Sequence, residues 1–241
     1  MEKILEQCQP VYKDGTTTGI MLIHGIGSCP HFWNALMPQF NDSPFALRNM
    51  LLPGHGSEPS TLKKVDWHEI FIHIKQNLFE LRKQCKRVIV IGFDLGAAMG
   101  LHLSAHYQLE GLICLSTAFL NRKYYFFHQN IKISDYIRDK TIKNTPHFYY
   151  ELLPKKFIRR INQFYKHVYD DLQDIYIPTL MIHGARNEAY SVNDAKLLYE
   201  KIASPDKKIL ILEHSRHLIL DGQEKAIVAR EIASFLEKQA R

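Results

Sequence analysis

The stretch from Arg87 to Gly100 joins an apolar, β-branched run to a helix-forming one through Gly92-Phe93-Asp94-Leu95-Gly96. Glycines on both sides of Asp94 fit a turn too tight for side chains at the flanking positions, with the central residue strained and its side chain pointing into a site. N–H groups at the start of the helix would face that side chain. A carboxyl with an ordinary pKa near ~4 is ionised at pH 7 and needs no base to act as a nucleophile. Displacement at an sp3 carbon suits it. Attack on an ordinary ester does not, because an anhydride would form while a far more basic alkoxide left. Aspartate also tolerates left-handed backbone better than most residues, so an inert occupant of the turn stands beside the reactive reading.

Such a turn needs a strand before it and a helix after it, and the rest of the chain supplies the same rhythm. Buried strands are expected at Ala46–Leu52, Arg87–Phe93, Gly111–Ser116, Pro178–His183 and Lys208–Leu212, each a brief Val/Ile/Leu-rich run. Helices fit at Pro30–Gln39, Trp67–Gln84, Leu95–Tyr107, Asn193–Ile202 and Gln223–Glu237. Asp14-Gly15 predicts a hairpin turn between Pro10–Lys13 and Gly19–Ile23. Strands alternating with helices imply an α/β fold, a mostly parallel sheet with helices on both faces, in one domain over residues 1–241.

One segment breaks the pattern. Residues 121–171 carry 11 Lys/Arg against 5 Asp/Glu and 12 of the 27 aromatics, so the whole net charge of +6 resides there. A basic, aromatic insert therefore sits in an otherwise neutral domain, which argues against a nucleic-acid-binding surface spread over the protein. Its best helix is Pro154–Leu172, with Phe157, Ile158, Ile161, Phe164, Tyr165, Val168 and Tyr169 on one face. Lys155, Lys156, Arg159 and Arg160 are expected to favour anionic ligands. Ligands bind at the carboxyl ends of strands in open α/β sheets, so an insert leaving such an end is placed as a helical lid.

Taken together, the turn at Asp94, Met21-Leu-Ile-His24-Gly25-Ile26-Gly27, Leu52-Pro-Gly-His55-Gly56, the segment from Pro178 through His183-Gly-Ala-Arg-Asn187, and Glu213-His-Ser-Arg-His217 resemble the α/β-hydrolase superfamily. The likeness spans nearly all of the chain outside the insert and is strongest to small bacterial carboxylesterases and the monoacylglycerol-lipase-like group. It implies that Asp94 stands at the nucleophile elbow in place of serine. It also implies that Asn187 holds the acid position as an amide, that His217 is the base, and that Ile26 and Leu95 give the oxyanion N–H groups. Glu188 is the alternative acid and Asp194 a weaker one. His24 and His55 read as structural loop histidines.

Haloalkane dehalogenases and epoxide hydrolases are α/β-hydrolases with an Asp nucleophile. This chain departs from them with Leu95 where they usually carry Trp and with Gly27 where epoxide hydrolases carry Pro. The implied function is a hydrolase of a small or medium organic substrate. The alternative is an inactive scaffold that binds an acyl, aromatic or anionic ligand under the lid.

Composition narrows the rest. Hydrophobic content of 46% over 241 residues supports a core without disulfides or metal. Cys8, Cys29, Cys85 and Cys114 are scattered, as in a reducing cytosol, and no metal-ligand spacing stands out. No cofactor, nucleic acid or membrane contact is expected, only a small-molecule ligand. With no evident signal peptide, a cytoplasmic location is expected.

Overall fold

The computed structural model describes residues 3–16, 18–117, 136–138 and 148–239, with 136–138 described as backbone only. Seven strands form its main sheet: β1 (Val11–Lys13), β2 (Thr18–Ile23), β3 (Ala46–Met50), β4 (Arg87–Phe93), β5 (Gly111–Leu115), β8 (Thr179–Gly184) and β9 (Lys207–Leu212), in the order β1-β3-β2-β4-β5-β8-β9. All neighbours are parallel except β1, which runs antiparallel to β3. A second pair, β6 (Tyr136–Arg138) and β7 (Leu152–Pro154), is antiparallel and lies within the insert.

Period-two alternation divides each central strand between two cores. Val88 and Val90 of β4 and Leu112 and Cys114 of β5 face one side. Ile89, Ile91, Phe93, Ile113 and Leu115 face the other. The first side is covered by α2 (Trp67–Arg82), α3 (Leu95–His106) and α4 (Lys155–Asp171); α1 is Pro38–Asn41, α5 is Val192–Lys201, and α6 (Lys225–Gln239) covers the second side. The expected α/β architecture is the observed one.

Two expectations need correction. The hairpin at Asp14-Gly15 does not form, because β1 pairs with β3 and not with β2. All of β2 is buried, and both its edges are taken by parallel partners, β3 and β4. The single helix expected over Pro30–Gln39 is a 3-10 turn, Pro30–Ala35, followed by the short α1. Pro38 offers no N–H to carry a helix through that point.

The insert's helix matches its predicted stripe. Phe157, Ile158, Ile161, Phe164, Tyr165 and Val168 of α4 are buried, while Lys156, Arg159 and Lys166 are exposed. Arg160 is not part of the solvated basic face. Its guanidinium donates to the carbonyls of Lys63 (3.2 Å) and Val65 (2.9 Å), fastening α4 to the loop ahead of α2. Hydrogen bonds from a charged donor contribute about 1.5–3 kcal/mol. Arg160→Met should therefore lower unfolding free energy in urea by about 2 kcal/mol. Lys156→Met and Arg159→Met should each stay within about 0.5 kcal/mol, as exposed substitutions do. Equal effects at all three positions would count against the anchoring role.

Candidate active site

Because β4, β5, β8 and β9 are adjacent and parallel, the loops after them gather at one edge of the sheet. Asp94 follows β4, Asn187 follows β8 and His217 follows β9. The three residues expected from sequence thus follow strands that end at the same edge of the sheet, with β5 between β4 and β8.

Asp94 adopts φ 53° and ψ −116° at the strand-to-helix turn. The sharp turn presses α3 onto the end of β2, and any side chain at Gly96 would collide with the Ile23 carbonyl. Asp94 is 5% exposed, and its Oδ2 accepts from the Ile26 N–H at 2.9 Å. The loop carrying Ile26 comes this close because residue 25 is glycine; a Cβ there would lie 2.9 Å from Oδ2. One expected oxyanion donor is therefore aimed at the elbow side chain itself. Leu95, the other, is the first residue of α3, where helix N–H groups have no partner within the helix.

His217 is 6% exposed, with its ring against those of Phe93 (centroids 5.0 Å apart) and Tyr190 (5.8 Å). Its main chain is held at both ends. Ser116 Oγ donates to the His217 carbonyl at 2.8 Å, and the His217 N–H donates to Glu188 Oε2 at 3.2 Å. Ser116 has φ 44°, one of two positive-φ non-glycine residues among those described, the other being Asp94. Strain at both strand ends marks the edge where the loops converge. Sequence reasoning passed over Ser116; a serine ending a buried strand carries little signal by itself. Glu224 braces the same loop, accepting from Ser215 Oγ (2.6 Å) and the His214 N–H (3.0 Å).

Asn187 Oδ1 accepts the backbone N–H groups of Ala189 (2.9 Å) and Tyr190 (3.0 Å), a side-chain-to-backbone turn. Its Nδ2 is buried with no hydrogen-bond partner among the described residues. Glu188, the alternative acid, is used otherwise: Oε1 accepts from Arg216 Nε (3.1 Å) and Oε2 from the His217 backbone, leaving the imidazole to other neighbours. Asp194 is spent in a capping box with Ser191 at the start of α5.

His24 and His55, expected as loop histidines, are buried and bonded to the loops around them. His24 Nε2 accepts from the Leu52 N–H at 3.0 Å, and Nδ1 faces the Gly25 carbonyl at 2.9 Å. Burial holds its pKa well below the usual imidazole range, and the nearby His55 and His73 add to that. Burial likewise lowers His55 to about 4. Tyr150, from the end of the insert, closes this corner: its N–H donates to Gly27, and its hydroxyl accepts from the Ser57 N–H and donates to Gly54. The insert's return segment thus lies directly on the loop that bears Ile26. The remaining cover expected over the site, residues 121–135 and 139–147, lies outside the described residues.

Away from this edge, the expectation of no metal-ligand group needs amending. His102, His106 and Asp171 place their ligand atoms within 4.8 Å of one another. The histidines are one turn apart on α3, but the carboxylate comes from α4, so no local spacing could reveal the trio.

A strained turn after a central parallel strand, a backbone donor aimed at it and a histidine loop from the last strand define an α/β-hydrolase framework. The family model for alpha/beta hydrolases matches residues 20–231, and the chain belongs to that family. It is similar to a thermostable monoacylglycerol lipase of Bacillus sp. (strain H-257), at 19% identity over 96% of each chain. A carboxylesterase of Bacillus subtilis (strain 168) is likewise 19% identical, over 95% of this chain and 96% of that one. The solved structure of a metagenome-derived lipolytic enzyme superposes with a TM-score of 0.90 at 18% identity, covering 98% of this chain and all of that one. No described helix is long and apolar enough to cross a membrane.

Proposed function

We propose that the protein is a hydrolase of a small or medium organic substrate with a leaving group on an sp3 carbon, in which Asp94 is the nucleophile and His217 the base. The observation that carries this is the Ile26 N–H on Asp94 Oδ2. In a serine hydrolase that donor waits for the oxygen of the substrate's carbonyl. Here a carboxylate oxygen already takes it, which disfavours an ester carbonyl and favours an aspartyl ester whose own carbonyl oxygen lies there.

The reaction balances in two steps. Asp94 Oδ1 attacks carbon and the leaving group departs with the bonding pair, giving an alkyl ester of Asp94. His217 then takes a proton from water, whose oxygen attacks the Asp94 carboxyl carbon; negative charge develops on Oδ2, against the Ile26 N–H. Collapse releases the alcohol, and the imidazolium's proton goes to it. The exposed Lys156 and Arg159, with half-buried Lys155, favour substrates bearing an anionic group.

A second reading, a binding protein on a disabled hydrolase scaffold, is favoured by Asn187. Its one acceptor oxygen is occupied by the turn, and what remains is a donor. A donor cannot orient the N–H of an imidazole or stabilise the imidazolium.

Haloalkane, epoxide and aryl ester panels, read by mass spectrometry of the peptide containing Asp94, separate the two. Turnover in oxygen-18 water should transfer label into Asp94, and His217→Gln should accumulate the alkylated peptide. Ligand binding without adduct or label in any panel supports the second reading instead.

A further inference from the structure

We infer that His102, His106 and Asp171 form a binding site for a divalent transition-metal ion, with zinc the best fit, that ties the end of the insert to α3. Each residue offers one ligand atom: His102 Nδ1, His106 Nε2 and a carboxylate oxygen of Asp171. Asp171 Oδ2 is hydrogen-bonded to His102, and Oδ1 lies 3.3 Å from His106. Each histidine thus already faces its own oxygen of one carboxylate, from the inner side of a helix pair.

Ligands on a tetrahedral zinc at about 2.0–2.2 Å sit roughly 3.3 Å apart. The group needs only small side-chain rotations to reach that from its present spread of 4.8 Å. Two imidazoles with one carboxylate select zinc, cobalt or nickel over calcium and magnesium, which prefer all-oxygen shells.

The surroundings hold the first ligand in place. The His102 ring is packed by Phe71 (4.5 Å), Phe164 (5.3 Å) and Trp67 (5.9 Å), and the residue is 8% exposed. The His106 side chain is half-exposed, giving an ion a way in and leaving the fourth position to water. His102 and His106 lie 8 and 12 residues along from Asp94, about 12 and 18 Å at the α-helical rise, so this group is separate from the catalytic edge. Binding requires neutral imidazoles and would displace any proton shared between His102 and Asp171. Asp171 is the last residue of α4. An ion there would join α4 to α3 at the point where the insert rejoins the domain.

Tag-free protein stripped with a chelator should be titrated with zinc and, separately, cobalt by calorimetry and visible absorption. One equivalent should bind, with the cobalt spectrum of a tetrahedral site. At a hundredfold excess over Kd, zinc should raise Tm by about 5 °C. His106→Ala removes an exposed ligand and should leave the metal-free Tm within about 2 °C while weakening zinc at least tenfold. Asp171→Asn should do the same to binding. Absence of stoichiometric binding, or zinc affinity unchanged in His106→Ala, overturns the assignment and leaves the trio a hydrogen-bonded helix contact.

Discussion

Asp94→Ser combined with Asn187→Asp is expected to hydrolyse short aryl esters at least ~10²-fold faster than either single variant. Serine at 94 withdraws the carboxylate oxygen from the Ile26 N–H and frees that donor for a substrate carbonyl. Serine alone is not enough, because the acid position would still carry the amide of Asn187. Aspartate at 187 can keep the two N–H groups that Asn187 Oδ1 now accepts, and it puts its second oxygen where the buried Nδ2 lies. With Asp94 still present, the Ile26 N–H stays occupied by a carboxylate oxygen and no serine nucleophile exists. Members of such a triad act as a unit, so the gain belongs to the pair. A burst of nitrophenol from the double variant reads it directly. If the double variant folds normally by circular dichroism and shows no gain, the pocket has left esterase geometry and sp3 displacement or binding alone becomes the better account.

Much of this site was legible because its positions are fixed by local steric demands. Glycines around Asp94 announce a turn that no other backbone satisfies, and β4 and α3 end and begin where the spacing puts them. The side-chain turn at Asn187 could also be anticipated, since asparagine caps its own backbone. Features that depend on partners remote in sequence were not legible. Asp14-Gly15 has every local mark of a hairpin, yet nothing near it tells that β3 takes the place beside β2. Arg160 looks like one more cation on a basic face until the carbonyls of Lys63 and Val65 are in place. Glu188 sits beside the acid position, but its partners are the Arg216 side chain and the His217 backbone. The trio of His102, His106 and Asp171 shares this property: its two histidines are visible on one helix, and its carboxylate lies 65 residues beyond His106.

Acid should destabilise the fold well before its carboxylates are protonated, through the paired histidines beside the loop that bears Ile26. His24 and His55 stand ring to ring at 5.1 Å, His55 also packs on Tyr150 and Phe157, and the titratable neighbours that lower His24 beside burial are His55 and His73. Burial depresses both pKa values, His55 to about 4. The unfolded chain binds a proton at each as pH falls below ~6.5, and the folded protein does not. Their contribution is therefore complete above ~6.5 and is lost as pH falls toward the folded values. For His55 alone the loss at pH 5 is about 2 kcal/mol. His24 adds in the same direction, and so do His73 and His183, which burial also depresses. Protonating His24 would in addition turn Nε2, now an acceptor, into a donor facing the Leu52 N–H, breaking the bond that joins the two loops. Urea unfolding at pH 7 and pH 5 should show a fall of at least about 2 kcal/mol in the parent protein. His55→Gln, which keeps a donor for the Pro53 carbonyl, should be less stable at pH 7 yet lose about 2 kcal/mol less on acidification. If parent and variant lose the same amount between those two pH values, His55 is not titrating there, and the acid sensitivity of the fold has another source.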